Sequence, residues 1–400
     1  MNILFVTESF YPDGIGGIHT YVCELAKILT NMGHKVYIIT PRFNKELSAR
    51  GDIEGVKIFR YNSASKGALL FIRRPILSIF NSAILFRKLR KKYYFDVVNF
   101  HSALPAFGIN FLCSKIKKVY TFHASMYQEV IIQSRRKKYT KFFPLVFLLV
   151  IIKFIENINL KFANKIIVLS NFNKKQLHEL YNIRESKIRV IPGGVDSGEY
   201  KPTTNKKAIR NKLNLPQNKI IFFTARRLVS RMGLENLLHA FSKIKNVHTN
   251  IVLIIAGEGF LKDKMKRIIL EKDLGNFVFL KGRVTNEQLK LYYQVSDLFI
   301  LPTEELEGFG LVTLEALASG LPVIATPVGG TIEILNPFNE SLLFKDSSSN
   351  SIAEGILRLL ENRDQLEGLQ DKCRNYVLNK YTWEKIGLQF ESLLREIKEK

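Results

Sequence analysis

Hydrophobic residues in this chain come in two alternating patterns: short continuous runs, and longer stretches in which they return at helical spacing. The runs NILFVT (2–7), KVYIIT (35–40), DVVNF (96–100), KVYTF (118–122) and KIIVLS (165–170) predict strands. The first is followed by a glycine-bearing loop and a helix in which Tyr21, Val22, Leu25, Ile28 and Leu29 share a face. After residue 195 the rhythm restarts with KIIFFTA (219–225), NIVLIIAG (250–257), NFVFLKG (276–282), DLFILP (297–302) and LPVIAT (321–326). Strands alternating with helices imply parallel sheets covered on both faces. Because the pattern occurs twice, the expected fold is α/β, with two doubly wound domains facing one another across a cleft. The glycine- and proline-bearing stretch IPGGVDSGEYKP (191–202) links them.

Composition agrees with that division. A chain of 400 residues, 46% hydrophobic and 11% aromatic, folds and is too long for one ordinary core. Its three cysteines, Cys23, Cys113 and Cys373, are too scattered to suggest a zinc site or a disulfide framework, which fits a reducing compartment. The opening MNILFVTESF lacks a basic leader region and is expected to be a first strand, with no secretory signal.

Charge changes the picture more. Residues 1–195 hold 31 Lys and Arg against 11 Asp and Glu, a balance of +20, whereas the remaining 205 residues hold 29 against 25, or +4. Clustered cations suit nucleic acid or an anionic membrane. In residues 73–92, Ile76, Ile79, Phe80, Ala83, Ile84 and Phe86 approximate a helical stripe ending in five basic residues. In 135–155 a basic run leads into eleven uncharged residues, 142–152, too few for a span of about 20. Each segment alone could be a core helix with a solvated flank. Together, and without an aromatic-basic RNA motif, they favour a peripheral membrane surface over nucleic acid.

Candidate chemistry collects in the loops after the strands, where ligands of open parallel sheets sit. The loop YPDGIGGIHTY brings Gly14, Gly16 and Gly17 before the first helix, letting backbone N–H groups approach a phosphate or simply making a turn; it is not the dinucleotide fingerprint. His101 and His123 close two strands and could be structural. Arg226, Arg227 and Arg231 follow the strand KIIFFTA, as suits bidentate phosphate binding, although a solvated basic turn has the same residues. AGEGFL (256–261) repeats the glycine-acid pattern around Glu258. EGFGLVTLE (307–315) sets two carboxylates, Glu307 and Glu315, around a glycine that starts a helix. First-turn N–H groups favour an anion. Carboxylates there can serve the dipole, or accept hydrogen bonds from the vicinal hydroxyls of a sugar or ribose.

The spacing E-G-F-G-x-x-x-x-E resembles the retaining glycosyltransferases of family 4, two-domain GT-B enzymes that use nucleotide sugars. Residues 296–335 resemble that family's C-terminal core nearly throughout. ESFYPDGIGGIHTYVCELAKILTNMGHKVYIIT, TFHA and IPGGVDSGEYKP resemble its first loop and helix, its strand-end histidine and its linker. The resemblance implies that Glu315 holds the donor ribose and Glu307 the transferred sugar, while the backbone of Phe309, Gly310 and Leu311 helps bind sugar and phosphate. It implies further that Arg227 neutralises the diphosphate, that Gly16 and Gly17 abut it, and that His123 lies near the reacting sugar. The family usually reads R-L-V-x-x-K-G; here RLVSRMG places Met232 at the lysine position, and Arg231 is expected to supply the charge. YTWEKIGLQFESLLREI (381–397) resembles the family's last helix, which crosses back to the first domain. The expected domains are therefore 1–192 with 382–400, and 193–381.

The implied reaction is retaining and metal-independent, with front-face attack by the acceptor and no cofactor beyond the nucleotide-sugar co-substrate. A lipid-linked or polysaccharide acceptor, a cytoplasmic location at the inner face of the cell membrane, and no nucleic-acid partner complete the expectation. Three alternatives remain: a nucleoside-diphosphate-sugar epimerase of the same fold, a non-catalytic nucleotide-sugar-binding protein, and an oxidoreductase, which the first loop and the missing acidic ribose partner disfavour.

Overall fold

The computed structural model describes residues 1–8, 10, 12, 16–44, 46–64, 70–136, 143–362 and 368–399; Gly14 and part of the basic run near 138 lie outside them. The chain forms two compact units: Met1–Gly193 together with Trp383–Lys400, and Gly194–Thr382.

The first unit is built on eight strands: β1 (Asn2–Val6), β2 (Lys35–Arg42), β3 (Arg50–Ile53), β4 (Val56–Asn62), β5 (Val97–Phe100), β6 (Lys117–Phe122), β7 (Lys165–Val168) and β8 (Ile188–Val190). Their order is β3-β4-β2-β1-β5-β6-β7-β8, parallel throughout except for the antiparallel β3–β4 pair. Ile3 to Val6 are all buried, as expected of a central parallel strand with both faces covered. The order reverses at β1, so its carboxyl end is a switch point. Strands β3, β4 and β8 were not anticipated from the sequence. β3 and β4 join through Glu54 and Gly55, both at positive φ, a tight hairpin turn whose Glu-Gly pair lacks the usual Asn or Asp signal. β8 is three residues long and never fully buried, so no apolar run marks it.

The helix Trp383–Glu399 belongs to this unit. A Cβ on Gly387 would lie 2.3 Å from Ile28 Cγ2, so glycine permits the close approach to the helix Gly17–Asn31. Phe390 meets Phe5 edge-on at 6.2 Å between ring centres, and Glu391 pairs with His34 at 2.9 Å.

The second unit has a five-stranded, wholly parallel sheet in the order β11-β10-β9-β12-β13, from β9 (Ile220–Ala225), β10 (Ile251–Ala256), β11 (Val278–Gly282), β12 (Leu298–Leu301) and β13 (Val323–Ala325). Every residue of β10 and β12 is buried. β9 lies between β10 and β12, so the crevice of an open sheet falls beyond the ends of β9 and β12. Arg226 and Thr303 follow those strands.

Candidate active site

Two carboxylates flank Gly310, the residue that caps the helix Leu311–Ala318. Gly310 has φ 92, a left-handed conformation that favours glycine, and a Cβ there would meet Thr313 Oγ1 at 3.2 Å and Thr331 Oγ1 at 3.5 Å. Both hydroxyls are buried without a hydrogen-bond partner among the described residues. The helix is buried nearly all round, which is why Glu315 arrives in apolar surroundings.

Glu307 is held as an ion. Arg226 Nη2 donates to Glu307 Oε2 at 2.5 Å and to Thr303 Oγ1 at 3.0 Å, and Thr303 donates to the same carboxylate oxygen at 3.0 Å. Met232 Sδ also accepts from Arg226, at 2.7 Å. Burial pushes the Glu307 pKa up, but the charge and hydrogen bond of Arg226, with help from Arg231 and Thr303, outweigh it and bring it below the ordinary value. The backbone around Glu307 is equally constrained. Leu306 has φ 59, strained for a residue with a side chain, and its carbonyl accepts from Arg231 Nη1 at 2.8 Å. A Cβ on Gly329 would lie 2.0 Å from the Glu307 carbonyl oxygen, and the N–H of Gly330 donates to that oxygen at 2.9 Å.

Glu315 is held differently. Its carboxylate accepts from the Tyr293 hydroxyl at 2.9 Å and has no other hydrogen-bond donor among the described residues. Burial pushes its pKa up to about 7, against the smaller opposing effect of that bond. The Tyr293 phenol is itself pushed well above its usual range, chiefly by burial and then by Glu315, so it remains a donor.

The other residues singled out from sequence are distributed around this pair. Arg227 is exposed, one position past the buried Arg226 side chain. Arg231 clasps the loop before Glu307, its carbonyl accepting from the N–H of Glu304 at 2.9 Å. Glu258 is half-exposed and pairs with Lys262 at 2.8 Å. Phe309 and Leu311 are buried, Phe309 lying 6.2 Å from the Tyr381 ring. Sequence reasoning did not find Tyr293 or Thr303; it grouped Arg226 with Arg227 as suited to phosphate, and the family resemblance gave a specific role to Arg227 alone.

In the first unit, Gly16 caps the helix Gly17–Asn31 at φ 104. His101 and His123, just past β5 and β6, stack with ring centres 5.4 Å apart and Nδ1 to Nε2 at 3.1 Å. Asn99 bonds His101 Nε2 at 3.0 Å and accepts from Thr121 at 3.0 Å. Burial holds His123 neutral, with its pKa brought down to about 3; the same effect, then His123, lowers that of His101. Such a pair can pass or accept a hydrogen bond but brings no positive charge. Tyr21 packs edge-on to His123 at 5.1 Å, its buried hydroxyl unpartnered among the described residues.

Two helices of this unit bury polar side chains beside apolar ones and leave other apolar side chains exposed. In Leu70–Arg90, Ser78 and Ser82 face inward while Ile76, Phe80 and Ile84 are exposed, so the apolar stripe read from the sequence lies largely on the outer side, with only Phe86 fully buried. Ser78 bonds Glu8 at 2.7 Å and Tyr61 at 3.0 Å. In Phe143–Phe162, Glu156 and Asn159 are buried while Phe147 is 66% and Val146 65% exposed, with Val150 and Phe154 beside them. Among the described residues no helix is long and apolar enough to cross a membrane.

Comparison with known proteins adds to this geometry. Residues 205–379 match the family model Glycosyl transferases group 1, and residues 15–199 match Glycosyltransferase Family 4. An uncharacterized glycosyltransferase of Methanocaldococcus jannaschii is 26% identical over 97% of this chain and 96% of its own. The alpha-monoglucosyldiacylglycerol synthase of Acholeplasma laidlawii is 27% identical over 81% of this chain and 80% of its own. A sucrose-phosphate synthase from Thermosynechococcus elongatus superimposes with a TM-score of 0.83 at 23% identity, covering 99% of this chain and 98% of that one, a likeness of fold.

Proposed function

This chain belongs to the glycosyltransferases of family 4 type with the GT-B fold, and from that premise we propose that it is a retaining, metal-independent enzyme working on nucleoside-diphosphate sugars. The observation that carries the reading is the pair of buried carboxylates around Gly310, one charged against Arg226 and one bonded to a neutral phenol. Glu315 accepts the ribose hydroxyls, Glu307 those of the transferred sugar, and the first N–H groups of the helix Leu311–Ala318 take the diphosphate. Arg227, exposed after β9, meets the same phosphates. Arg231 adds charge where Met232 replaces the usual lysine, and an Arg231→Ala protein with unchanged donor affinity and turnover would remove that role.

The sugar C1–oxygen bond to the phosphate breaks as the acceptor oxygen bonds C1 on the same face. The leaving diphosphate takes the electron pair and the acceptor proton, and fixed donors stabilise the developing charge. A thermal-shift panel of UDP, GDP, ADP and NAD tests the donor class, because a ligand of the folded state raises the transition temperature. One nucleoside diphosphate should stabilise wild type and not Glu315→Ala. A shift with NAD alone, or with none, overturns the reading.

For the acceptor we infer a lipid-linked or polysaccharide hydroxyl at an anionic membrane, at the cytoplasmic face. The Acholeplasma relative is named for a diacylglycerol product. Here the helices Leu70–Arg90 and Phe143–Phe162 expose apolar side chains, with Arg87, Lys88 and Arg90 closing the last turn of the first. Phe147→Ser with Phe154→Ser should weaken sedimentation with phosphatidylglycerol vesicles, and unchanged sedimentation would refute the membrane surface.

A further inference from the structure

We propose that Tyr293 is a positioning residue for the nucleotide: its hydroxyl orients the Glu315 carboxylate so that both ribose hydroxyls can donate to it. The inference rests on the reading of Glu315 as the ribose acceptor and adds a residue to it.

Tyr293 lies on the helix Asn286–Val295, whose start is fixed by a reciprocal capping box between Thr285 and Gln288. Its ring is confined by three aromatic neighbours: Phe223 on β9 at 5.4 Å, Phe299 on β12 at 5.5 Å and Tyr200 at 5.9 Å. The hydroxyl therefore has little freedom and donates to Glu315 Oε2 at 2.9 Å. A carboxylate offers about four acceptor directions, so one phenol donor leaves room for a vicinal diol. A phenol also fixes the carboxylate without neutralising it. Arg226 does the reverse for Glu307, combining orientation with charge compensation. No cation among the described residues hydrogen-bonds or ion-pairs with Glu315, so it keeps its demand for donors, and the two ribose hydroxyls satisfy it. Without the phenol, the carboxylate would sit in an apolar pocket with nothing to set its plane.

The test measures binding of whichever of UDP, GDP and ADP stabilises wild type, together with its 2′,3′-dideoxy counterpart, to wild type and Tyr293→Phe. The phenylalanine keeps the ring and its packing, and ligand-free melting curves check that the fold is retained. Wild type should prefer the ribonucleotide by about tenfold or more, the scale of a hydrogen-bonded hydroxyl buried against a charge. In Tyr293→Phe the ribonucleotide should weaken about tenfold while the dideoxy affinity stays put, so the preference collapses. In a Glu315→Ala background the Tyr293→Phe change should be silent. A wild-type preference preserved in Tyr293→Phe overturns the inference and leaves the ribose reading intact. Equal loss of both ligands overturns it too, since a loosened site affects them alike. A wild type that does not distinguish the two ligands, or binds none of the three diphosphates, removes the ribose reading and the inference with it.

Discussion

The loop before Gly310 and the helix after it each bury a glutamate, yet their surroundings push the two carboxylates in opposite directions. Glu307 is paired with a guanidinium and lies below the ordinary carboxylate range; Glu315 has a phenol and lies near 7. Both are desolvated, so the difference lies in the partner. One glutamate is therefore held in its charged form by its partner, and the other is a group whose charge depends on pH and ligand near neutrality. The division fits the proposal that Glu307 holds a sugar and Glu315 a nucleotide.

The sharpest way to break this comparison is to remove the cation. Arg226→Ala leaves the Glu307 carboxylate buried without its counter-charge, at a cost of about 3–5 kcal/mol. For a unit of this size that lowers the melting temperature by about 6–20 °C in a thermal scan. Tyr293→Phe should cost far less, because it removes a neutral donor. Equal losses in the two variants would erase the distinction.

pH is the next lever. Glu315 accepts from a diol best when ionised, so affinity for the nucleoside diphosphate should fall several-fold as pH drops from about 8 to 6, through the value of about 7. Glu315→Gln should flatten that profile in a calorimetric titration. Ligand-free stability has the opposite sign. A carboxyl whose folded pKa is raised contributes stability below its unfolded value near 4.5, and loses it as pH rises through about 7. Glu307, with a lowered pKa, contributes above its unfolded value and loses it as pH falls.

Backbone substitutions give smaller, more local effects. Gly329→Ala drives a methyl into the Glu307 carbonyl and should lower turnover while leaving nucleoside diphosphate affinity within about twofold. Gly310→Ala forces a side chain into left-handed backbone, costing about 1–2 kcal/mol, and the melting temperature should fall by only a few degrees. It should affect both carboxylates, since Gly310 lies between them.

Much of the architecture was legible in the chain because buried parallel strands are continuous apolar runs. The strands that escaped notice lack that property: β4 interrupts its buried residues with the exposed or half-buried Lys57, Arg60 and Asn62, β3 is at the sheet edge, and β8 is short. At the site, the glycine between two glutamates announces itself, since only a break before a helix explains it. Periodicity could not choose between Arg226 and Arg227, because both lie past the end of β9, where the alternation of the strand no longer applies; the Arg226 side chain is buried and Arg227 is exposed. Tyr293 was illegible for another reason. It reaches Glu315 from a different helix, so the contact exists only after the sheet has assembled. The inward face of Leu70–Arg90 was illegible in a third way: Ser78 bonds Tyr61 and Glu8, and Ser82 bonds the carbonyls of Ile79 and Pro105, which leaves much of the apolar stripe outside.

The terminal helix has a consequence for the order in which the protein can be made. Trp383–Lys400 completes the first unit, whereas Gly194–Thr382 is continuous. During synthesis at about 5–20 residues per second, the first 193 residues wait roughly 10–40 s for the segment that covers Phe5 and Ile28. The second unit has all its own residues before the first has its last. A chain truncated before Trp383 would thus retain every residue of the second unit and leave the first permanently unfinished, its apolar wall open to the chaperones that attend nascent chains.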